Sequence, residues 1–447
     1  MEHSLWGVEV KSLDSGRVLY ARNAGLLMMP ASNMKVVTLA AAAEILGWDY
    51  RFKTAVETAA PVEGGVLKGD LFVRGGGDPT INTRGNRAAA VFDEWAAALK
   101  AAGITRIDGG VIGDDAAFED EGLGQGWSWD YLQDGYAAPA GALEVHQNIA
   151  TLTIRPGVWE GDAAGLDLTP GSGLTVSNLV QTGAPQSATR ISIDRHSHGA
   201  VIEVSGAIAS DAAAASRDVA VVNPTVFFAR TVKDALIARG IDVGGEGLDL
   251  DDVGPRAANP VRRMLIESSS PPLHDIASVM MKVSQNVYAE TLLKAVGAAR
   301  SGAGSTDAGR AASRDLFGGW GIAPDSYVQA DGSGLSRYDF VTARMIVTLL
   351  ERMHRDPRHR EKFVATLPIA GKDGTISTRM KGTRAEANAV AKTGSIANVR
   401  ALSGYVRTRD GETLAFSILA NNFTIPAATV NWIADLAVER LANQSAR

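Results

Sequence analysis

Alternating hydrophobic and polar residues predict β-structure at both ends of the chain. Residues 5–12 alternate, and residues 17–21 alternate again after a turn at residues 14–16. This pattern is typical of a β-hairpin. Alternation returns near the other end, in residues 386–392, 402–407 and 413–420. The last two of these segments flank an Asp-Gly pair, which favours the tight turn of a second hairpin.

Hydrophobic residues at helical spacing predict helices between these two β-regions. The first covers residues 32–46, an Ala-rich run that follows Pro30 and ends before Gly47. Proline before a helix and glycine after it are common boundary signals, and they place Ser32 near the N-cap. Further helices are predicted at residues 88–102, 224–240, 275–282, 286–296, 311–318, 341–353 and 427–441. A single strand is predicted at residues 107–113.

The order of these elements predicts an α+β fold. An antiparallel five-stranded sheet would be built from both chain ends and flanked by helices. Residues 1–55 and 258–447 are expected to form this domain. Residues 56–257 contain short alternating segments broken by Gly, Pro and Asp, so we expect a large mixed α/β insertion of two small subdomains. An acidic, Pro-containing linker at residues 251–255 would end the insertion.

Composition limits the classes of function. The 447 residues carry a net charge of −6 and no basic tract, which argues against a nucleic-acid partner. The chain has no cysteine, which excludes thiolate catalysis and cysteine-ligated metal sites. No apolar run has the length of a membrane span. His196 and His198 have no third ligand near them in the sequence, so we interpret them as exposed hairpin residues and expect no metal or cofactor.

The first predicted helix carries two candidate catalytic residues in its first turn. Ser32 and Lys35 are three positions apart, and residues at this spacing are neighbours on a helix surface. A serine hydroxyl is a poor nucleophile at neutral pH until a base takes its proton. A desolvated lysine can be that base, because burial disfavours its charged form. The alternative interpretation is an N-cap serine followed by a solvated lysine.

A second polar cluster lies between two predicted helices. In Ser284-Gln285-Asn286 the serine hydroxyl can relay a proton, and the asparagine amide can bind a substrate carbonyl. Acyl transfer requires such groups in addition to a nucleophile. The chain has no Gly-x-Ser-x-Gly elbow, which disfavours an α/β-hydrolase.

A third cluster, Lys392-Thr393-Gly394-Ser395, follows an alternating segment and is expected to lie on a strand. Gly394 would leave room for an extended ligand to pair along the strand edge. Lys392 and Ser395 could hold an anion such as a peptide carboxylate.

Together and in this order, the three clusters resemble the Ser-x-x-Lys, Ser-x-Asn and Lys-Thr-Gly signature of the penicilloyl serine transferases. The chain looks most like the D-alanyl-D-alanine carboxypeptidases/endopeptidases of the penicillin-binding protein 4 type, and the similarity extends over most of its length. Besides the third cluster, the segments that carry it are residues 30–35, 76–79, 270–273, 286–290 and 331–337. The long stretch between the first two motifs corresponds to that family's insertion.

The resemblance implies a β-lactamase/transpeptidase-like catalytic domain and assigns roles to the motif residues. It implies that Ser32 is the acylated nucleophile and Lys35 its base, and that backbone N–H groups of Ser32 and Ser395 form the oxyanion hole. Ser284 and Asn286 would shuttle a proton and position the substrate. The residues expected to bind the terminal carboxylate are Lys392, Thr393 and Ser395, beside Gly394. Gln285 and Ser395 replace a common Asp and a common Thr of the family.

The resemblance also implies residues for substrate selection. In the family, aromatic and acidic residues of the insertion face a diaminopimelate side chain, and the candidates here are Trp127, Asp130 and Tyr136. Arg337 is the candidate near the carboxylate end. Considered without the resemblance, aromatic residues clustered in a Gly-rich loop more often form a local core.

The implied substrate is a peptidoglycan peptide, and β-lactam antibiotics would be covalent inhibitors. Because that substrate lies outside the cytoplasmic membrane, we expect a periplasmic or extracellular protein whose signal peptide is missing from this chain. A β-lactamase or a D-peptidase/esterase of the same fold is one alternative function. A non-catalytic module that binds the cell wall is the other.

Overall fold

The structure is a computed structural model, and it describes residues 3–195, 199–253 and 261–445. Two compact units are formed. One contains the chain up to Tyr50, the short segment Gly124–Trp127 and the chain from Pro271 onwards, and the other contains Arg51–Leu123 and Ser128–Ser270. The domain division expected from the sequence, with junctions after residues 55 and 257, stays a prediction. Its second junction lies outside the described residues, as do His196 and His198.

Helices and strands are interspersed along the described residues. The α-helices of the described residues are α1 Met34–Ile45, α2 Arg87–Ala101, α3 Pro224–Ala238, α4 Leu273–Lys282, α5 Asn286–Ser301, α6 Thr306–Gly319, α7 Ala343–Arg355, α8 Arg360–Thr366 and α9 Ala427–Ala442. No helix among them has the length and hydropathy needed to cross a membrane.

The strands of the described residues are mostly short. They are β1 Leu5–Ser12, β2 Val18–Arg22, β3 Lys53–Thr58, β4 Val62–Glu63, β5 Val66–Leu67, β6 Leu71–Arg74, β7 Arg106–Ile107, β8 Val111–Asp114, β9 Ile149–Arg155, β10 Gly165–Leu168, β11 Thr175–Gly183, β12 Arg190–Arg195, β13 Val201–Ala209, β14 Ala215–Ala220, β15 Asp242–Val243, β16 Gly247–Asp249, β17 Arg263–Ser269, β18 Tyr327–Val328, β19 Phe340–Val341, β20 Val390–Ile396, β21 Val399–Arg407 and β22 Thr413–Asn421.

The first unit is built on a five-stranded antiparallel sheet with the strand order β2-β1-β22-β21-β20. Strand β1 pairs with β22 from Leu5 opposite Asn421 to Ser12 opposite Leu414, so the two chain ends meet in the centre of the sheet. Helices α7 and α9 pack against this sheet. The expectation of an α+β fold with a five-stranded antiparallel sheet from both chain ends is therefore confirmed.

Helix α1 lies in the core of the first unit. Ten of its twelve residues are buried, and it packs against α4, α5, α6 and α7. A helix that is apolar on all sides belongs inside a protein, and the Ala-rich sequence lets its neighbours approach closely. This packing holds the start of α1 in place.

The second unit contains several smaller sheets. A five-stranded mixed sheet has the order β16-β8-β6-β3-β17, and a four-stranded sheet has the order β15-β7-β5-β4. Two three-stranded sheets follow, β10-β9-β14 and β11-β13-β12. Strands β3 and β17, which pair antiparallel, lie next to the points where the chain first enters and finally leaves this unit.

Candidate active site

Ser32 lies in a single 3₁₀ turn, Ala31–Asn33, that leads directly into α1. The expectation that Ser32 stands near the N-cap is confirmed, because the N-cap of α1 is the next residue, Asn33. The alternative in which Ser32 is itself the N-cap is wrong. Ala31 has a φ of 45°, a conformation that non-glycine residues rarely adopt. Backbone strain of this kind persists only where the surroundings enforce it, and it is common at functional sites.

Lys35, one turn later, is completely buried and has three oxygen partners. Its Nζ donates to Ser32 Oγ at 3.0 Å, to Asn286 Oδ1 at 2.6 Å and to the backbone oxygen of Ser333 at 2.8 Å. The alternative interpretation of a solvated lysine is thus wrong. The sequence-predicted residues Ser32, Lys35 and Asn286 are joined by direct hydrogen bonds.

Burial lowers the pKa of Lys35 to about 8, against the opposing effect of the carboxyl groups of Asp331, Glu290 and Asp339. A lysine with such a pKa holds a useful fraction of neutral amine near neutral pH. It can therefore accept a proton from the neighbouring Ser32 hydroxyl.

The second motif lies at the start of α5. Asn286 is the first residue of that helix, and the Gln285 side chain caps it by accepting from the Val287 N–H at 3.4 Å. Ser284 has a φ of 62°, so both the residue before the candidate nucleophile and the candidate proton shuttle occupy the left-handed region. Helix α5 packs against α1, which brings Asn286 to Lys35.

The third motif lies within strand β20. The buried Lys392 donates through Nζ to Ser284 Oγ at 2.8 Å and to the Thr393 backbone oxygen at 2.8 Å. Burial, together with the nearby charge of Lys35, lowers the pKa of Lys392 well below its usual value. The second and third motifs are therefore in contact as well.

Strand β20 is seated directly against the turn that carries Ser32. Asn33 Nδ2 donates to the Lys392 backbone oxygen at 3.1 Å. A Cβ at Gly394 would lie only 2.4 Å from the Pro30 backbone oxygen. Glycine is required here because the two backbones approach so closely.

Two other residues of the third motif, Thr393 and Ser395, are more accessible than Lys392. Thr393 Oγ1 donates to Thr375 Oγ1 at 2.7 Å, and Ser395 is exposed one residue beyond Gly394. Both lie on the same strand as Lys392, at positions that a ligand running along β20 could reach.

A loop of residues 331–336 completes the surroundings of Lys35, and Asp331 organises it. The Asp331 carboxylate is buried, and it accepts from the backbone N–H groups of Gly334 at 2.6 Å and Ser336 at 2.7 Å. Trp127 donates to the same carboxylate through Nε1 at 2.8 Å. Trp127 is thus fixed beside a loop that touches Lys35.

The remaining candidates from the sequence are Arg337, Asp130 and Tyr136. Arg337 follows this loop, and its backbone N–H points to the Gly126 oxygen at 3.4 Å. Asp130 and Tyr136 belong to the second unit, where the Tyr136 ring packs edge-on against Tyr131 with centroids 5.8 Å apart. The substrate-binding roles expected for Arg337, Trp127, Asp130 and Tyr136 stay predictions.

Sequence reasoning assigned no role to several buried groups of the site. Ser333 supplies the third acceptor of Lys35, and Glu290 accepts from the N–H groups of Gly332 and Ser333, each at 2.8 Å. One signal was available, because Glu290 follows Asn286 by four positions on a helix and so shares its face. The loop partners could not be paired with α1 without coordinates.

Two groups of acidic and histidine side chains among the described residues are close enough together to suit a metal ion. These groups are Glu44, Asp356 and His359, and Asp115, Asp120 and Asp251. Neither contains a residue of the three motifs. In the first group His359 Nε2 and Glu44 Oε2 already bond each other at 2.9 Å, and exposed acidic clusters are common without an ion.

Comparison with known proteins matches the whole chain to one family. The model of the family described as "D-Ala-D-Ala carboxypeptidase 3 (S13)" matches residues 1–444. The chain is 36% identical over 440 residues to a D-alanyl-D-alanine carboxypeptidase of Actinomadura sp. (strain R39), an alignment that covers 96% of this chain and 79% of that protein.

Solved structures show the same likeness. Penicillin binding protein 4 (dacB) from Haemophilus influenzae superposes with a TM-score of 0.85 at 27% identity, covering 99% of this chain and 98% of that one. The same protein complexed with a novel beta-lactam superposes with a TM-score of 0.80 at 26% identity, covering 98% and 97% of the two chains.

Proposed function

The chain belongs to the D-Ala-D-Ala carboxypeptidase 3 (S13) family, and on this premise we propose that it is a serine-type D-Ala-D-Ala carboxypeptidase. It cleaves the terminal D-Ala of a peptidoglycan peptide, or the equivalent bond of a peptide cross-link, through an acyl-Ser32 intermediate. The observation that carries the proposal is the contact of Lys35 with Ser32, Asn286 and Ser333.

The three partners of Lys35 suit a general base. A neutral amine has two N–H bonds and one lone pair. If the Asn286 and Ser333 oxygens accept the two N–H bonds, the lone pair is directed at the Ser32 hydroxyl. Lys35 then takes the Ser32 proton as Oγ attacks the carbonyl carbon of the scissile bond.

The rest of the reaction follows from the same groups. The Oγ–carbon bond forms, and the developing oxyanion lies at the backbone N–H groups of Ser32 and Ser395. The carbon–nitrogen bond to the terminal D-Ala breaks, and the leaving amine receives the proton, with Ser284 as the relay. Water then hydrolyses the ester and restores the Ser32 hydroxyl.

The strand β20 binds the substrate in this proposal. Lys392 and the hydroxyls of Thr393 and Ser395 hold the terminal carboxylate, and the peptide extends along the strand at Gly394. Lys392 also orients Ser284 through the 2.8 Å hydrogen bond between them. We assign the side chain at the third peptide position to Trp127, Asp130 and Tyr136, and the carboxylate end to Arg337.

The proposal includes penicillins as covalent inhibitors that acylate Ser32. It also places the protein in the periplasm or outside the cell, where peptidoglycan is found. The likeness to a penicillin-binding protein that was solved with a beta-lactam supports the first point.

The direct test is the release of D-Ala from a diaminopimelate-containing pentapeptide. The wild type should release it and Ser32→Ala should not, while a cross-linked dimer peptide measures endopeptidase activity alongside. A Ser32→Ala variant with full activity would exclude the proposed nucleophile. Turnover of benzylpenicillin in the same assay separates a peptidase from a β-lactamase.

A further inference from the structure

Glu290 is a buried carboxylate on the face of α5 that points toward Lys35. It lies one helical turn after Asn286, is 4% exposed, and accepts from the Gly332 N–H through Oε2 and from the Ser333 N–H through Oε1, both at 2.8 Å. Both of its oxygens are therefore committed to the loop that supplies the third partner of Lys35.

We propose that Glu290 is a positioning residue for the catalytic base. Its carboxylate holds the two amides so that the Ser333 carbonyl fixes one N–H of Lys35, and its charge acts on the same amine. This inference rests on the proposed function, because it takes Lys35 as the base. No step of the reaction requires Glu290 to touch the substrate.

The packing around the loop makes this role specific to Glu290. A Cβ at Gly332 would lie 2.5 Å from the Ala289 oxygen, and a Cβ at Gly334 would lie 1.8 Å from the Ala31 oxygen. The loop is thus held tightly between α5 and the turn before α1. Thr38 Oγ1 adds a 2.7 Å hydrogen bond to the Gly332 oxygen. Within this close fit, the Glu290 carboxylate fixes the Ser333 N–H, and Asp331 fixes the Gly334 N–H, which belongs to the same peptide group as the Ser333 carbonyl.

The charged groups that face Lys35 come from several elements. Glu290 lies on α5, Asp331 lies in the 331–336 loop and Asp339 follows that loop, while Lys392 comes from β20. Lys294, also buried, stands one further turn along α5. Burial raises the pKa of Asp339 well above its usual value and so favours its neutral form. Burial acts to raise the pKa of Glu290, while hydrogen bonds from Ser333 and Gly332 and the positive charge of Lys35 act in the opposite direction.

The two hydrogen bonds that Glu290 accepts favour its ionised form. A protonated carboxyl group needs an acceptor for its own hydrogen, whereas both Glu290 oxygens face N–H donors. Removing this negative charge should make the Lys35 ammonium less favourable and lower its pKa. The rate of acylation as a function of pH reports the apparent pKa of the Lys35–Glu290 pair in the wild type and that of Lys35 alone in Glu290→Gln.

The experiment measures the second-order rate of acylation by benzylpenicillin between pH 5.5 and 10, followed by intact mass. Glu290→Gln should move the midpoint of the rising limb about one pH unit lower and reduce the maximal rate at least tenfold. Glu290→Asp keeps the charge but cannot reach both amides, so it should lose rate and keep the wild-type midpoint. Glu9→Gln alters another buried carboxylate of the same unit, paired with Arg344, and should change neither quantity.

The outcomes separate the inference from the proposed function. The midpoint does not depend on how much of a variant is folded. If Glu290 has a purely structural role, the midpoint of Glu290→Gln will equal that of the wild type, and this result would overturn the inference. An equal shift in both Glu290 variants would overturn it too. If Glu290→Gln yields no protein that can be acylated, the acylation rate of Glu290→Asp tests the inference. A wild-type rate in Glu290→Asp would contradict it. A wild type that is never acylated at Ser32 contradicts the proposed function instead.

Discussion

The Asn286 side-chain oxygen lies 2.6 Å from Lys35 Nζ, although the two residues are 251 positions apart in the sequence. This hydrogen bond joins the first and second motifs and orients the amine that faces Ser32.

Replacing Asn286 with Ala should slow acylation by benzylpenicillin about 10- to 100-fold. A buried hydrogen bond to a charged or titrating group is worth about 1.5–3 kcal/mol, and each 1.4 kcal/mol changes a rate tenfold. Stopped-flow fluorescence with a labelled penicillin measures the rate. Asn443→Ala removes an exposed amide that bonds only the Glu439 oxygen in α9 and should have no effect. Equal rates in both variants would refute the assigned role of Asn286.

Acylation by the wild type should accelerate as the pH rises through about 8. The pKa of Lys35 is lowered to about 8 by burial, so the ammonium predominates below that pH and the neutral base above it. At pH 7 only about a tenth of the protein holds the neutral base. The rate constant measured from pH 6 to 9.5 should therefore rise and then level off. A flat profile over this range would show that Lys35 does not titrate in the acylation step.

Replacing Lys392 with Met should abolish the preference for a free C-terminal carboxylate. Wild-type protein should cleave a D-Ala-D-Ala peptide with a free carboxylate at least about 30-fold better than its C-terminal amide, as expected for a charge-assisted contact of about 2 kcal/mol. Because burial of this cation is itself unfavourable, the variant should unfold at no lower temperature. The values of kcat/KM for the two peptides measure this preference. Lys362→Met, a substitution at the surface, is the control. A retained preference would place carboxylate recognition elsewhere.

Gly394→Ala should separate β20 from the turn that carries Ser32. The added Cβ would lie 2.4 Å from the Pro30 oxygen, and overpacking of this kind costs about 1–3 kcal/mol. We expect a lower melting temperature and a loss of most acylation activity. Gly318→Ala is the matched control, since a Cβ there meets nothing within 4 Å, and it should be neutral or slightly stabilising in helix α6. A fully active Gly394→Ala variant would contradict the close packing.

Much of the first unit could be predicted because its elements follow strong local signals. The hairpin at the start and the C-terminal strands have clear periodicity, helix α1 has clear boundary residues, and the observed bounds differ by a few residues. Strand β20 is a partial exception, because it covers Val390–Ile396 rather than residues 386–392. The Lys-Thr-Gly-Ser motif lies inside this strand, which confirms its expected position on a strand.

Other elements depend on partners that are distant in the sequence. The predicted strand at residues 107–113 is wrong, because this segment forms two strands, β7 and β8, in two different sheets. A Cβ at Gly110, between them, would lie 2.2 Å from the Glu246 oxygen, so the break reflects a close tertiary contact. Helix α8 was not predicted, and its seven residues carry too short a pattern to detect.

The same distinction between local signals and distant partners applies to the candidate active site. Motif residues could be named from the sequence because their types and order are specific. The roles of Ser333 and Glu290 depend on how the 331–336 loop is oriented against α5, and a backbone carbonyl has no signature in the sequence. Helical spacing alone would put Glu290 on the face of Asn286, but only coordinates connect it to Lys35.

The most direct test of the account is the site of penicillin attachment. Wild-type protein exposed to a saturating concentration of benzylpenicillin should gain the mass of one penicilloyl group, and peptide mapping should locate it on Ser32. Ser32→Ala, folded by its circular dichroism spectrum, should gain none. An adduct on another residue, or an unmodified Ser32 after saturating exposure, would contradict the assignment of Ser32 as the acylated nucleophile.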